Sequence, residues 1–249
     1  MKFSIVTISY NAQSTIRATI ESVLSQKYDD VEYIIVDGNS YDKTVDIINE
    51  YIDHVSKFVS EPDKGIYDAM NKGIGLASGD FLLFMNAGDT FSDESVLEDV
   101  AKLVDVDSDV VYGDNWLVYD NNVLYHKAGF FSSRDINMPF NHQSAFVKVK
   151  LAKENPFVLK YKIAGDYAFF YNLFKLGKKF QHISIPIANY AMDGMSQQHV
   201  IKTFNEVCDI QGRKRNATYW LDYLKLITKT KLRPLLPESL VTFYRKKTI

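Results

Sequence analysis

The chain has one cysteine, Cys208, among its 249 residues. An intrachain disulfide is excluded, and so is a cysteine-rich zinc site. Long hydrophobic runs are lacking too. The apolar segment at residues 3–8 ends at Ser9-Tyr10-Asn11, too early for the core of a secretory signal. No stretch approaches the ~20 apolar residues that span a bilayer. The expected setting is therefore the reducing cytoplasm. The usual phosphate loops are missing as well. No Gly-x-Gly-x-x-Gly follows the first apolar run, and no Gly-x-x-x-x-Gly-Lys-Ser/Thr occurs. That argues against a nicotinamide enzyme or a P-loop NTPase. Neither Gly-x-Ser-x-Gly nor His-Glu-x-x-His is present, so serine hydrolase and zinc protease readings lose ground.

What remains is an ordinary globular composition, 46% hydrophobic and 24% charged, with a net charge of -2. The charge is segregated. From Val200 to Ile249 eleven Lys and Arg stand against four Asp and Glu, a balance of +7; the other 199 residues carry 18 against 27, or -9. An acidic body with a basic tail points to a tail that faces something anionic. A nucleic acid fits poorly, because the body is acidic and no nucleic-acid motif is present.

The pattern of elements is α/β. Lys2–Ile8 reads as a strand, followed by a helix capped by Ser14 that runs to Ser25. Val31–Val36 is a second strand, followed by a helix from Asp42 to about Tyr51. Strand, turn and helix twice over is the signature of a parallel sheet. Val55–Ser60 reads as a short strand and Ile66–Ala77 as a helix. Phe81-Leu82-Leu83-Phe84-Met85 is an unbroken apolar run between Gly79 and Asn86-Ala87-Gly88-Asp89. A run without alternation suits a strand buried on both faces. Further on come a helix over Glu94–Leu103, a strand over Asp109–Asp114 ending in a carboxylate, and a hairpin from Trp116 to Tyr125. Pro139–Val147 reads as a polar loop entering a short strand, Gly165–Leu176 as a helix, and His182–Tyr190 as a strand. The rest is largely helical, with breaks at Pro234 and Pro237.

Several strands end in polar residues: Ser9 to Asn11, Asp37, Asn86 to Asp89, and Asp114. Parallel strands bring such ends to one edge, where open α/β sheets bind ligands. Asp89 there is a suitable hard-oxygen ligand for Mg²⁺ or Mn²⁺; alternatively it caps the following helix. Asp37 has the chemistry to accept N–H donors from a nucleobase, or it turns the chain. A phosphate beside so many carboxylates needs a cation or lysines, with Lys64 and Lys72 as candidates.

Three segments carry a family resemblance: Phe3–Asn11 (FSIVTISYN), Tyr33–Thr44 (YIIVDGNSYDKT) and Ala69–Asp80 (AMNKGIGLASGD). Together they resemble the family 2 glycosyltransferases, which have the GT-A fold. The similarity runs over residues 2 to 190. It is nearest to bacterial members that build capsular, O-antigen or exopolysaccharide chains, such as the colanic-acid type. The resemblance implies a GT-A domain over residues 1–195, with a nucleotide-sugar half at 1–114 and an acceptor half at 115–195. Residues 196–249 form a basic helical extension.

The resemblance also assigns roles. Thr7, Ser9, Tyr10 and Asn11, with Asp37, fall at the pocket for base and ribose. Asp63, Asn71 and Lys72 line the nucleotide side. Asn86-Ala87-Gly88-Asp89 falls where the family carries Asp-x-Asp, with Asn86 in place of the first carboxylate and Asp89 left as the metal ligand. Gly165-Asp166 resembles the family's Glu-Asp, whose Asp is the catalytic base; as residues alone, Asp166 also suits a helix N-cap. His142 and Gln143 fall in the loop that contacts donor sugar or acceptor. His199, after the segment 193–198, is a candidate third metal ligand.

The implied activity is inverting transfer from a nucleotide-diphospho-sugar, UDP-sugar by default, with divalent Mn or Mg, to a lipid-linked glycan. Trp220, Tyr223, Leu224, Ile227 and Leu232, interleaved with Lys225, Lys229, Lys231 and Arg233, resemble an interfacial helix on the cytoplasmic face of the inner membrane; a helix packed on the core is the alternative. Two other functions remain open. A sugar nucleotidyltransferase would want a Gly-rich basic loop where Asn11-Ala12-Gln13-Ser14 stands. A catalytically silent glycan-binding or scaffolding module would explain the reduced metal motif.

Overall fold

A computed structural model of the chain describes residues 1–119, 122–131, 138–191 and 199–232. Four parallel strands form its first half: β1 (Phe3–Ser9), β2 (Val31–Asp37), β3 (Lys57–Ser60) and β4 (Phe81–Phe84), in the order β3-β2-β1-β4. Helices α1 (Ile16–Leu24), α2 (Thr44–Asn49) and α3 (Ile66–Leu76) connect them. Both faces of these strands are covered. Val6, Ile8, Ile34, Val36, Leu82 and Phe84 pack with α3 residues Met70 and Ile74 on one side. Phe3, Ile5, Tyr33, Ile35, Phe81 and Leu83 pack with Ile16, Ile20 and Val23 of α1 on the other. Burial on two faces is what the unalternating sequence of β4 requires.

The second half is mixed. After β5 (Thr90–Phe91) and α4 (Val96–Leu103) come β6 (Val110–Tyr119), β7 (Asn122–His126), β8 (Ala145–Lys148), α5 (Val149–Glu154), α6 (Gly165–Lys175) and β9 (Phe180–Ala191). The sheet continues β4-β8-β6-β9-β5, with β7 on β6. β8 runs antiparallel to β4 and β6, whereas β6 and β9 run parallel. Two helices follow, α7 (Val200–Ile210) and α8 (Ala217–Leu232).

Several boundaries differ from expectation, each for a local reason. Helix α1 starts at Ile16 with Thr15 before it and no side-chain cap, so Ser14 does not cap it. Asp89 caps no helix: β5 follows it directly, and Asp93 Oδ1 takes the Ser95 N–H ahead of α4. The strand expected to stop at Asp114 runs on to Tyr119 and passes that residue at an irregular register opposite Pro186. Asp114 is buried. Burial pushes its carboxyl up, but hydrogen bonds from Tyr125, the Ala128 N–H and His182 together hold it below the usual range. It is an internal crosslink, not part of a ligand edge. The hairpin tip at 120–121 and Pro234 and Pro237 lie outside the described residues.

The extension does not stand apart. Val207 and Ile210 of α7 pack with Ala164, Tyr167 and Tyr171 around the start of α6. Tyr219, Tyr223 and Leu226 of α8 pack in turn on Phe204 and Cys208 of α7. The boundary expected near residue 195 falls in the undescribed segment 192–198. Among the described residues, no helix is long and apolar enough to cross a membrane.

Candidate active site

The carboxyl ends of β1, β2 and β3 set Ser9, Asp37 and Ser60 side by side in register. That register explains Asp37. Its Oδ1 accepts from Ser9 Oγ at 3.0 Å and Ser40 Oγ at 2.6 Å, and its Oδ2 from Ser40 N at 2.9 Å and Ser60 Oγ at 2.8 Å. The residue is 0% exposed. Four donors fill a carboxylate's acceptor sites, so Asp37 is a brace between strand ends and has nothing left to offer a nucleobase. Thr7 is likewise buried, its hydroxyl 3.0 Å from Tyr33 Oη. Asn11 joins two loops: its N–H donates to Ser40 Oγ and its Oδ1 accepts from Tyr41 N.

A different carboxylate reaches the edge. A Cβ on Gly38 would lie 2.5 Å from Asp63 Oδ2 and 3.3 Å from the Tyr10 ring. Asp63 therefore takes the space that a side chain at 38 would fill. Tyr10 beside it is 61% exposed and meets Tyr41 edge-on at 6.4 Å. An exposed aromatic face and a carboxylate at one bare backbone position can stack a planar ring and accept its N–H. Lys72 supports this loop, donating to Pro62 O at 2.8 Å and pairing with Glu61 at 2.8 Å. Asn71 faces elsewhere. Its amide donates to Phe157 O and accepts from Phe157 N, and so fixes the chain ahead of α6.

After β4 the Asn86–Asp89 turn is clamped from α1. Thr19 Oγ1 accepts from Gly88 N at 3.0 Å and donates to Asp89 O at 2.8 Å. Gln143 is buried and donates to Asp89 Oδ2 at 2.9 Å, so it supports the carboxylate from below. Asn86 Oδ1 is buried with no hydrogen-bond partner among the described residues. Mg²⁺ typically takes one or two carboxylates and completes its shell with water and substrate phosphates. Asp89 and the unpartnered Asn86 Oδ1 are the oxygen groups of this turn that could hold an ion of that kind. No three His, Cys, Asp or Glu side chains converge among the described residues, so His199 does not complete such a set.

Asp166 lies in the first turn of α6, with Ala164 at the cap position. Its Oδ1 accepts from Tyr167 N at 2.8 Å; Tyr67 Oη, which donates its proton to Ile163 O at 2.6 Å, lies 3.4 Å away. Burial first, then the Asp166 charge, push the Tyr67 hydroxyl well above its ordinary pKa, so it remains a donor. A Cβ at Gly165 would meet the Tyr67 ring at 2.6 Å, which explains why glycine precedes the aspartate here. On the other oxygen, Asp166 Oδ2 is 3.3 Å from His142 Nδ1, and His142 Nε2 is 3.0 Å from Asn86 Nδ2. One imidazole therefore spans the gap between the β4 turn and the α6 carboxylate.

The Glycosyl transferase family 2 profile matches residues 4–175. The chain belongs to that family. A PGL/p-HBAD biosynthesis glycosyltransferase of Mycobacterium bovis is 30% identical over 213 residues, 81% of this chain and 82% of its own. An uncharacterized Mycobacterium tuberculosis glycosyltransferase is 41% identical over 95 residues, 38% of this chain and 36% of its own. Among solved structures, Staphylococcus aureus TarS 1–349 with UDP-GlcNAc aligns with TM-score 0.69 and 20% identity over 85% of this chain and 65% of its own. The mannosyltransferase PcManGT of Pyrobaculum calidifontis, with GDP-Man and Mn²⁺, gives 0.64 and 16% over 92% and 69%. The fold is GT-A. As a member of that family, with relatives named as glycosyltransferases, the chain is a sugar-transferring enzyme.

Two supporting residues of this glycosyltransferase escape sequence reading. Thr19 has a signal, a polar residue on the apolar Ile16-Ile20-Val23 stripe of α1. Glu206 has none. From α7 its carboxylate accepts the N–H groups of Lys162, Ile163 and Ala164 at 3.2, 2.9 and 2.9 Å. It holds the backbone that leads into α6.

Proposed function

We propose that this enzyme moves a sugar, with inversion, from a nucleotide-diphospho-sugar to a lipid-linked glycan on the cytoplasmic face of a bacterial inner membrane. The observation that carries the reading is the His142 bridge. It sets Asp166 across one ring's width from the turn of Asn86 and Asp89. The acceptor O–H breaks and its proton passes to Asp166 Oδ2. The acceptor oxygen bonds the anomeric carbon as the carbon–phosphate oxygen bond breaks. The nucleoside diphosphate leaves with that electron pair. One base on the acceptor side suits a single displacement, hence inversion.

Tyr10 stacks the base and Asp63 accepts its ring N–H. Uracil, like thymine, offers one such acceptor a single N3–H, which suits a UDP-sugar and disfavours cytosine, whose N3 has no hydrogen. Asp89 and Asn86 Oδ1 would hold a Mn²⁺ or Mg²⁺ ion, which would supply positive charge to stabilise the leaving nucleoside diphosphate. Calorimetric titration with UDP tests this edge. Mn²⁺ is expected to tighten binding roughly tenfold, or about 1.4 kcal/mol, and Asp89→Ala to remove that gain. UDP binding indifferent to metal in both proteins would end the metal assignment.

The lipid surface is met by α8. Tyr219, Tyr223 and Leu226 face α7, while Trp220, Leu221 and Leu224 stand 49%, 57% and 58% exposed with Lys225 beside them. An apolar face flanked by basic residues lies in the headgroup boundary of an anionic membrane. Trp220 fluorescence should shift to the blue on adding phosphatidylglycerol vesicles, and much less with phosphatidylcholine. Leu221→Glu with Leu224→Glu should abolish co-sedimentation; equal sedimentation of that variant would refute the contact.

A further inference from the structure

We propose that His142 is a positioning residue for Asp166, with its tautomer set by Asn86, so that donor turn and base form one hydrogen-bonded unit. This rests on the reading of Asp166 as the base. It departs from the role that resemblance gives the loop, in which His142 touches sugar.

The chemistry of the three groups fixes the protons. Asn86 Nδ2 has only hydrogens to give, and it lies 3.0 Å from His142 Nε2. Nε2 is therefore the accepting nitrogen, and the ring proton sits on Nδ1, which faces Asp166 Oδ2 at 3.3 Å. Reversing the Asn86 amide would put an N–H on Nε2. The ring would then turn a lone pair on Nδ1 against the carboxylate, or carry a charge. The neutral arrangement gives the Nδ1–H a carboxylate and one Asn86 N–H a ring lone pair, and leaves Asn86 Oδ1 open to a ligand.

Each carboxylate oxygen then has a separate tie. Tyr167 N holds Oδ1 at 2.8 Å. His142 Nδ1–H faces Oδ2 at 3.3 Å. His142 itself is confined, its side chain 15% exposed in the short turn His142–Ser144. At the other end, Asn86 Oδ1 is buried and has no partner among the described residues. A cation or a donor hydroxyl on that oxygen would lock the amide orientation. The locked amide keeps Nε2 an acceptor, and Nδ1–H keeps Asp166 aimed. Donor binding would thus set the base before the acceptor arrives. His142 retains its proton throughout; it neither takes the acceptor proton nor contacts the sugar.

Two measurements test this on the full chain. The first is ¹⁵N NMR of the imidazoles, with His142 assigned among five histidines by the His142→Asn variant. A protonated Nδ1 and bare Nε2 are expected, and Asn86→Ala should disturb that signature. A protonated Nε2 would overturn the proposal regardless of activity. The second is UDP release to water from whichever of UDP-glucose, UDP-galactose and UDP-GlcNAc the wild type turns over fastest. His142→Ala should lower kcat by ~10²-fold, the scale of a misplaced catalytic group, with KM for donor unchanged. His142→Asn, whose Nδ2 sits where Nδ1 was, should recover most of it. Unchanged kcat in His142→Ala, or a raised KM at normal kcat, would overturn the positioning role. Asp166→Asn run alongside separates the two ideas. An inactive Asp166→Asn with a normal His142→Ala sinks only the positioning role; an active Asp166→Asn sinks the base.

Discussion

Asp166→Asn is expected to lower kcat for UDP release by roughly 10³-fold, within the range for loss of a general base, while UDP binds as before. The carboxamide keeps the shape but not the function. It has one accepting atom where the carboxylate has two. If Oδ1 continues to accept from Tyr167 N, the new NH₂ faces the His142 Nδ1–H. If the group turns over, NH₂ faces the Tyr167 N–H. One donor is opposed in either pose, so the variant also loses its aim. The nucleotide edge formed by Tyr10 and Asp63 is not touched, which is why affinity for UDP should hold. Turnover near that of the wild type, with folding intact, would remove Asp166 as the base.

Glu206→Ala should have the second large effect, in a residue outside the matched family region of 4–175. Three consecutive backbone N–H groups would lose a charged acceptor. Hydrogen bonds to charged groups contribute roughly 1.5–3 kcal/mol each, and solvent will replace part of that. A net loss of about 3 kcal/mol is expected, which lowers Tm by roughly 6–12 °C for a chain of this size. Turnover should fall as well, because Asp166 is two residues beyond Ala164. Gln211 of the connection after α7 also donates to Tyr167 Oη at 2.7 Å, so the start of α6 would keep some support. A melt and a turnover number both unchanged would show that α7 is a passenger.

The parallel half of the fold is legible in the sequence because its signals are local. Apolar runs of strand length alternate with amphipathic helices, and polar turns mark each junction. The second half is less so. β5 is two residues long and α5 six, too short for any period to register. β6 reads as ending at Asp114 because a carboxylate looks like an end, yet Tyr125, Ala128 and His182 satisfy it inside the sheet.

The site divides in the same way. Positions at strand ends, from Ser9 to Asp89, can be found from sequence because a parallel sheet must gather them. Which atom of each faces a ligand cannot. Asp37 and Asp63 differ only in what surrounds them, and that is decided by strand register and by the loop after β3. Asn71 and Gln143 are polar residues of the right kind, but their partners are the Phe157 backbone and Asp89. The link from Asn86 through His142 to Asp166 joins three distant segments, and no spacing announces it.

The close approach at Gly38 has an evolutionary reading. A Cβ there would meet Asp63 Oδ2 at 2.5 Å, so a side chain at 38 would push the Asp63 carboxylate out of that corner. The two positions are thereby coupled. A homologue with Asp at 38 should have a small residue at 63, delivering the same negative charge from the β2 turn. Laboratory Gly38→Asp alone should be a dead end, and Gly38→Asp with Asp63→Gly a rescue, because the intermediate sequence crowds two like charges into one seat.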